Sequence, residues 1–169
     1  NPFGSFGYSE SDLEFSKSPL MHLSCSVSFD KKDDVSFNLK KLGNITSDNV
    51  ESALLVQESG LKYKGFSVFE EFYWRRKEFQ KERITDLGWF VQGGYFIKPQ
   101  KIEATLRYSQ INFDDDRNDE TVNEQTLGVN YFFSGHRSKI QFNAVRLHRD
   151  TVNHENTDYK FILQFQFTL

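Results

Sequence analysis

No run of apolar residues in this 169-residue chain approaches the ~18 that a membrane-spanning helix needs. A helical membrane protein is therefore excluded. Cysteine is almost missing: Cys25 stands alone and no internal disulfide can form. On the apolar parity of its segment, Cys25 reads as a small hydrophobic filler. Positive charge is not in excess either, since the formal net charge is -3, and nothing points to a nucleic-acid partner. The four histidines (His22, His136, His148 and His154) are scattered and lack metal-ligand spacing. There is no Ser/His/Asp set and no glycine-rich phosphate loop. Asp114-Asp115-Asp116 with Asp119 and Glu120 lacks the spacing and the glycine of a calcium loop, so it reads as a solvated acidic loop. These residues show no catalytic set and no metal site, and no cofactor is expected.

Aromatic residues, by contrast, are abundant: 16% of the chain, with 18 Phe and 7 Tyr. The last eleven residues, YKFILQFQFTL, show how they are used. Tyr159, Phe161, Leu163, Phe165, Phe167 and Leu169 share one parity. Lys160, Gln164, Gln166 and Thr168 share the other, broken only by Ile162. Period two means a β-strand with two unlike faces. A transmembrane barrel strand has this requirement, because one face meets lipid and the other water. The mean hydropathy of -0.62 is compatible with that, since a polar lumen and loops dilute the average. This ending resembles the carboxy-terminal signal by which bacterial outer-membrane proteins are recognised by the barrel-assembly machinery, with Leu169 in place of the usual final Phe.

Similar alternation recurs upstream. Met21, Leu23, Cys25, Val27 and Phe29 form one ladder. A long polar stretch follows from Asp30 to about Glu58. Within it Asp48–Gln57 reads as a short helix, as the start of the next strand, or as a constriction loop. A strand ends at Leu61–Tyr63, Lys64-Gly65 turns, and Phe66–Arg75 is the next strand, before a charged loop from Arg76 to Thr85. Leu87, Trp89, Val91, Tyr95 and Ile97 share a face. Lys98-Pro99-Gln100-Lys101 turns the chain into Ile102, Ala104, Leu106 and Tyr108. A loop over Asn112–Asn123 leads to Leu127, Val129, Tyr131 and Phe133. Ser134-Gly135-His136-Arg137 turns into Ile140, Phe142 and Ala144, and the loop Arg149–Thr157 precedes the last strand. These are about eight strands whose connections alternate long and short, as in outer-membrane barrels. Gly93-Gly94 suits a sharply bent barrel strand covered by neighbouring aromatics. Trp74, Trp89, Tyr95, Tyr108, Tyr131 and Tyr159 read as interfacial girdle residues.

At Asp86–Ser109, DLGWFVQGGYFIKPQKIEATLRYS, the chain resembles the phosphate-selective porin O and P family. Further matches follow the family's order: Asn1-Pro2-Phe3-Gly4 with Tyr8-Ser9-Glu10 and Asp12; Leu61–Gly65 with Phe66-Ser67-Val68 and Glu71; Thr126–Tyr131; and the C-terminal ladder. The resemblance implies an all-β, antiparallel transmembrane β-barrel of about sixteen strands, of which residues 1–169 would be the C-terminal half within one domain. It implies an outer-membrane porin and not an enzyme, usually a homotrimer in outer-membrane lipid, that passes small anions by passive diffusion with its C-terminus periplasmic. The start at Asn1, without initiator Met, basic segment or apolar segment, fits a truncated or mature product.

By parity, the candidate pore-lining cations are Lys62, Arg75, Arg107, Lys139 and Lys160, with Glu71 and Glu103 on the same faces. Arg107 reads either as an ion-contacting residue or as a cross-strand partner for a carboxylate. Lys160 reads as pore-lining or as snorkelling to the outer interface. Two other readings remain. A complete eight-stranded outer-membrane barrel with a structural or adhesive role would fill its interior with Phe69, Phe90, Phe96, Phe132 and Ile162. A soluble lipocalin-type barrel that binds lipid would place the apolar parity inside.

Overall fold

A computed structural model describes residues 11–32, 35–39, 43–47, 50–79, 82–114, 120–135, 137–151 and 154–167. Ten strands form: β1 Leu20–Lys32, β2 Val35–Leu39, β3 Gly43–Ser47, β4 Val50–Tyr63, β5 Phe66–Phe79, β6 Glu82–Lys98, β7 Ile102–Asp114, β8 Glu120–Ser134, β9 Ser138–Thr151 and β10 His154–Phe167. Eight of them make one antiparallel sheet in the order β1-β4-β5-β6-β7-β8-β9-β10, while β2 and β3 pair separately. The chain is all-β, with no helix among the described residues.

The strands run longer than the alternation suggests. The expected loops at Arg76–Thr85, Asn112–Asn123 and Arg149–Thr157 are largely paired strand, with Phe79 opposite Glu82, Phe113 opposite Glu120, and Thr151 opposite both His154 and Glu120. The physical reason is that alternation marks where the two faces meet different solvents, whereas the hydrogen-bond ladder continues where both faces are wet. From Val50 onward Asp48–Gln57 is strand, not helix or loop; Asp48 and Asn49 lie outside the described residues. Its Leu54 and Val56 face one way and Ala53 and Leu55 the other, so the segment has no parity to display. The polar stretch from Asp30 to Glu58 holds the end of β1, the β2–β3 hairpin and the start of β4.

The three short turns fall at one end of the sheet. Lys64 and Gly65 both have positive φ, 51° and 82°, as a two-residue hairpin turn requires. Gln100 (φ 55°) and Gly135 (φ 56°) serve the other two.

Directly paired residues project to the same side, so the register sorts every side chain onto one of two faces. Phe69, Gln92, Arg107, Thr126, Val145 and Lys160, drawn from β5 to β10, border a single cavity of about 780 Å³. A flat sheet could not present six strands to one cavity, so this face is concave. The large apolar side chains that remain exposed lie on the opposite, convex face, Ile162 excepted. Phe161, Leu163, Phe165 and Phe167 point away from the cavity, and Lys160, Ile162 and Gln166 line it. This polarity is the inverse of a lipocalin. The small closed barrel is also set aside, because β1 and β10 are the two edges of the sheet and do not pair.

On the convex face Tyr108, Gln125, Arg146 and Tyr159 share one register row. It bounds the apolar ladder on the side away from the short turns, as tyrosines do at a lipid–water boundary. Trp89 packs on Tyr108 with ring centroids 5.2 Å apart. Beyond Trp74, towards the far end of β5, the Arg76 guanidinium beside Glu78 holds that carboxyl below the usual range, helped by Arg83.

Candidate functional site

The concave face is built in register rows that cross the strands. One row runs Phe69, Gln92, Arg107, Thr126, Val145, Lys160. Two rows further towards the short turns, beyond Gly94, Thr105, Gly128, Asn143 and Ile162, run Phe96, Glu103, Asn130, Gln141 and Gln164. All seven charged residues singled out from the sequence project to this face, but the structure gives them different surroundings.

Glu103 is 1% exposed. Its Oε2 accepts hydrogen bonds from Ser11 Oγ (2.7 Å) and from Asn130 Nδ2 (2.9 Å). Asn130 Oδ1 in turn accepts from Gln141 Nε2 at 3.0 Å. A Cβ on Gly94 would stand 2.5 Å from Glu103 Oε1. The glycine in that strand thus makes room for a carboxylate; aromatic cover is not its role. A buried carboxylate needs such partners, because an unpaired one costs several kcal/mol.

Arg75 is ion-paired with Asp86, whose side chain is nearly buried. Lys62 is buried, 4% exposed, between Leu20 and Ser67 in register, well away from open solvent. Glu71 stands opposite Glu58, and Glu58 accepts a hydrogen bond from Ser24 Oγ at 3.0 Å. Arg107 lays its guanidinium over Phe90, 4.1 Å from the ring centroid, an energetically favourable cation–π contact. Its buried Nε has no hydrogen-bond partner among the described residues. Lys139 lies 5.9 Å from the Phe132 centroid. Lys160 is exposed on the edge strand, opposite Val145. Arg107, Lys139 and Lys160 all border the 780 Å³ cavity, with Glu103 and Glu124. The arrangement presents amides, hydroxyls and charges of both signs to the cavity. Among the described residues it offers no cluster that could hold a metal ion.

The ladder expected to form the assembly signal is placed from Tyr159 to Phe167 on the convex side of the edge strand β10. Leu169 lies outside the described residues. Sequence reasoning missed Asp12, Asp86, Asn130 and Gln141. Asp86 and Asn130 lay within the matched motifs, yet only the register shows them beside Arg75 and Glu103.

The family described as phosphate-selective porin O and P matches residues 30–169. The opening motif, Asn1 to Asp12, lies before that span. An uncharacterized protein of Aquifex aeolicus (strain VF5) is 23% identical over 163 residues, covering 81% of this chain and 39% of its own length. The chain thus spans about two fifths of the curated relative it matches. No solved structure matches. Porins of this kind are bacterial outer-membrane proteins, and the open all-β sheet is consistent with a piece of such a barrel. On the family match over most of its length, this chain belongs to the phosphate-selective porin O and P family.

Proposed function

We propose that the full-length protein is a passive diffusion channel of the outer membrane for small hydrophilic solutes, and that the concave face of this sheet lines its lumen. The observation that carries the reading is the segregation of faces: the large exposed apolar side chains other than Ile162 are convex, and the 780 Å³ cavity is bordered mostly by polar and charged ones. In this reading the convex ladder meets lipid, the short turns and the C-terminus are periplasmic, and β1 and β10 are completed by the rest of the barrel. The ladder from Tyr159 to Leu169 is read by the barrel-assembly machinery. The protein carries no catalytic step. The homotrimer implied by the resemblance belongs to the same proposal.

Anion preference is part of the reading, and it rests on few residues. Arg75 is neutralised by Asp86, and Arg149 by Glu120 at 2.9 Å. Of the charges that border the cavity, Arg107, Lys139 and Lys160 are there to meet an anion, phosphate among them, against Glu124 and the 1%-exposed Glu103. Selectivity of this type needs convergent charge at close range. The test is single-channel recording of the purified full-length protein in a planar bilayer. Ohmic current without added ligand, with a reversal potential in a salt gradient favouring chloride, supports the channel and its preference. Insertion without conductance refutes the channel. Cation preference keeps the channel and removes the anion assignment.

A further inference from the structure

Two phenylalanines on the concave face are sealed from solvent: Phe96 is 3% exposed and Phe132 is 0%. Their rings touch, with centroids 5.5 Å apart. In an open water-filled lumen both would be wetted. The segment just before β1 accounts for part of the cover. Phe15 packs on Phe96 with centroids 5.4 Å apart, and its ring fills the space a Cβ on Gly65 would occupy. Leu13 reaches the β8–β9 turn, where its Cδ2 is 3.7 Å from the Cβ position of Gly135. Ser11 donates to the buried Glu103. Residues 11–15 therefore touch the β4–β5 turn, the start of β7 and the β8–β9 turn. These are strands separated by four spacings of ~4.8 Å.

One side chain fixes this crossing. Asp12 is 2% exposed. Its carboxylate accepts from Gly65 N (2.7 Å), Ser16 Oγ (2.7 Å) and Ser16 N (3.1 Å to each oxygen). Lys64 N donates to Ser16 O at 3.0 Å, which ties the segment's other end to the same turn. Phe15 holds a left-handed φ of 53°, which a non-glycine residue tolerates only when its surroundings over-determine it.

We propose that Ser11–Ser16 is a constriction at the short-turn mouth of the channel and that Asp12 is the positioning residue that holds it across the opening, setting the size of solute that passes. The proposal rests on the channel reading above. A charge-assisted clamp on a backbone turn places the segment, and the Phe15–Phe96–Phe132 cluster gives it a dry seat.

The test compares the full-length protein with Asp12→Ala, Phe15→Gly and the exposed-site control Glu51→Gln, on the convex face at the far end of β4, each checked for folding by heat-modifiable migration. Asp12→Ala removes the clamp. Phe15→Gly removes the wedge while suiting the left-handed backbone. Both should raise unitary conductance, by roughly twofold if the segment blocks about half of the cross-section at its level, and both should admit longer oligosaccharides into proteoliposomes. Asp12→Asn, which keeps an acceptor, should restore most of the wild-type value, and Glu51→Gln should match wild type. A conducting wild type with folded Asp12→Ala and Phe15→Gly variants of unchanged conductance and cut-off overturns the constriction and leaves the channel standing. If neither variant inserts, the segment is a folding element and the proposal falls. A silent wild type refutes the channel, and the constriction with it.

Discussion

Leu163 and Gln164 are neighbours in β10, at one depth and on one edge strand, and they point to opposite faces. Leu163 is the middle of the five convex residues Tyr159, Phe161, Leu163, Phe165 and Phe167, and it is 59% exposed. The ladder spans eight steps of ~3.3 Å, about 26 Å along a tilted strand, so its middle rung falls near the bilayer midplane. Arginine on the lipid face there costs about 2–4 kcal/mol, with the lost leucine contact added. That corresponds to a shift of roughly 30- to 700-fold in the folding equilibrium. Arginine at Gln164 meets water and the polar row of Gln141, Asn130 and Glu103, and costs less than about 1 kcal/mol. The assay is urea titration of folding into phosphatidylcholine vesicles, read by heat-modifiable migration. Leu163→Arg should lower the midpoint strongly and Gln164→Arg hardly at all. Equal losses from the two, or a larger loss from Gln164→Arg, would refute the assignment of the convex face to lipid.

Three further outcomes follow from the same geometry. Arg107→Glu should move the reversal potential towards cation preference, because it replaces a cavity-lining cation with a carboxylate level with Lys160 and Thr126; an unchanged potential would show that Arg107 is spent on Phe90. Asp86→Asn should destabilise the folded barrel by roughly 1–3 kcal/mol in urea titration, since Arg75 loses a carboxylate held nearly out of solvent, and it should make the channel more anion-preferring. Phe167→Asp with Leu169→Asp should block outer-membrane insertion in cells, and normal heat-modifiable migration of that variant would count against the assembly signal.

What could be read in the sequence follows from what each residue is exposed to. Between about Tyr159 and Phe167, lipid on one side and water on the other force alternation, and the strand announces itself. In the stretches from Arg76 to Glu78 and from Arg149 to Thr151 both faces are polar, the pattern vanishes, and strand reads as loop. In β4 the opposite happens: Leu54, Leu55 and Val56 are apolar on both faces, and a four-residue apolar run mimics a helix turn. Parity alone brought Lys62, Glu71, Arg75, Glu103, Arg107, Lys139 and Lys160 to one face. It carries no information on neighbours, which come from register. Asp86 is eleven residues from Arg75 and Ser11 is 92 from Glu103. No local spacing encodes such contacts.

Glu103 and Arg107 show why that missing information decides function. They sit four residues apart on the same face of β7, and from sequence they look like two equivalent lumen charges of opposite sign. Ser11, Asn130 and the notch at Gly94 enclose Glu103, so although it borders the cavity it is 1% exposed and its charge is held by donors. Arg107 has an aromatic ring beneath it and an unpartnered Nε, and it borders the cavity. In the proposed channel, a solute passing this wall would meet the cation more directly than the buried carboxylate. A count of charges on the inward parity would call the wall balanced, but preference follows the charges left unsatisfied. The segment that seals Glu103 is the one held by Asp12, so releasing Asp12 should do more than widen the opening: it should uncover a carboxylate. A wider pore that is also less anion-preferring is the combined signature expected of Asp12→Ala. A rise in conductance with no loss of anion preference would mean that Glu103 stays covered by Asn130 alone.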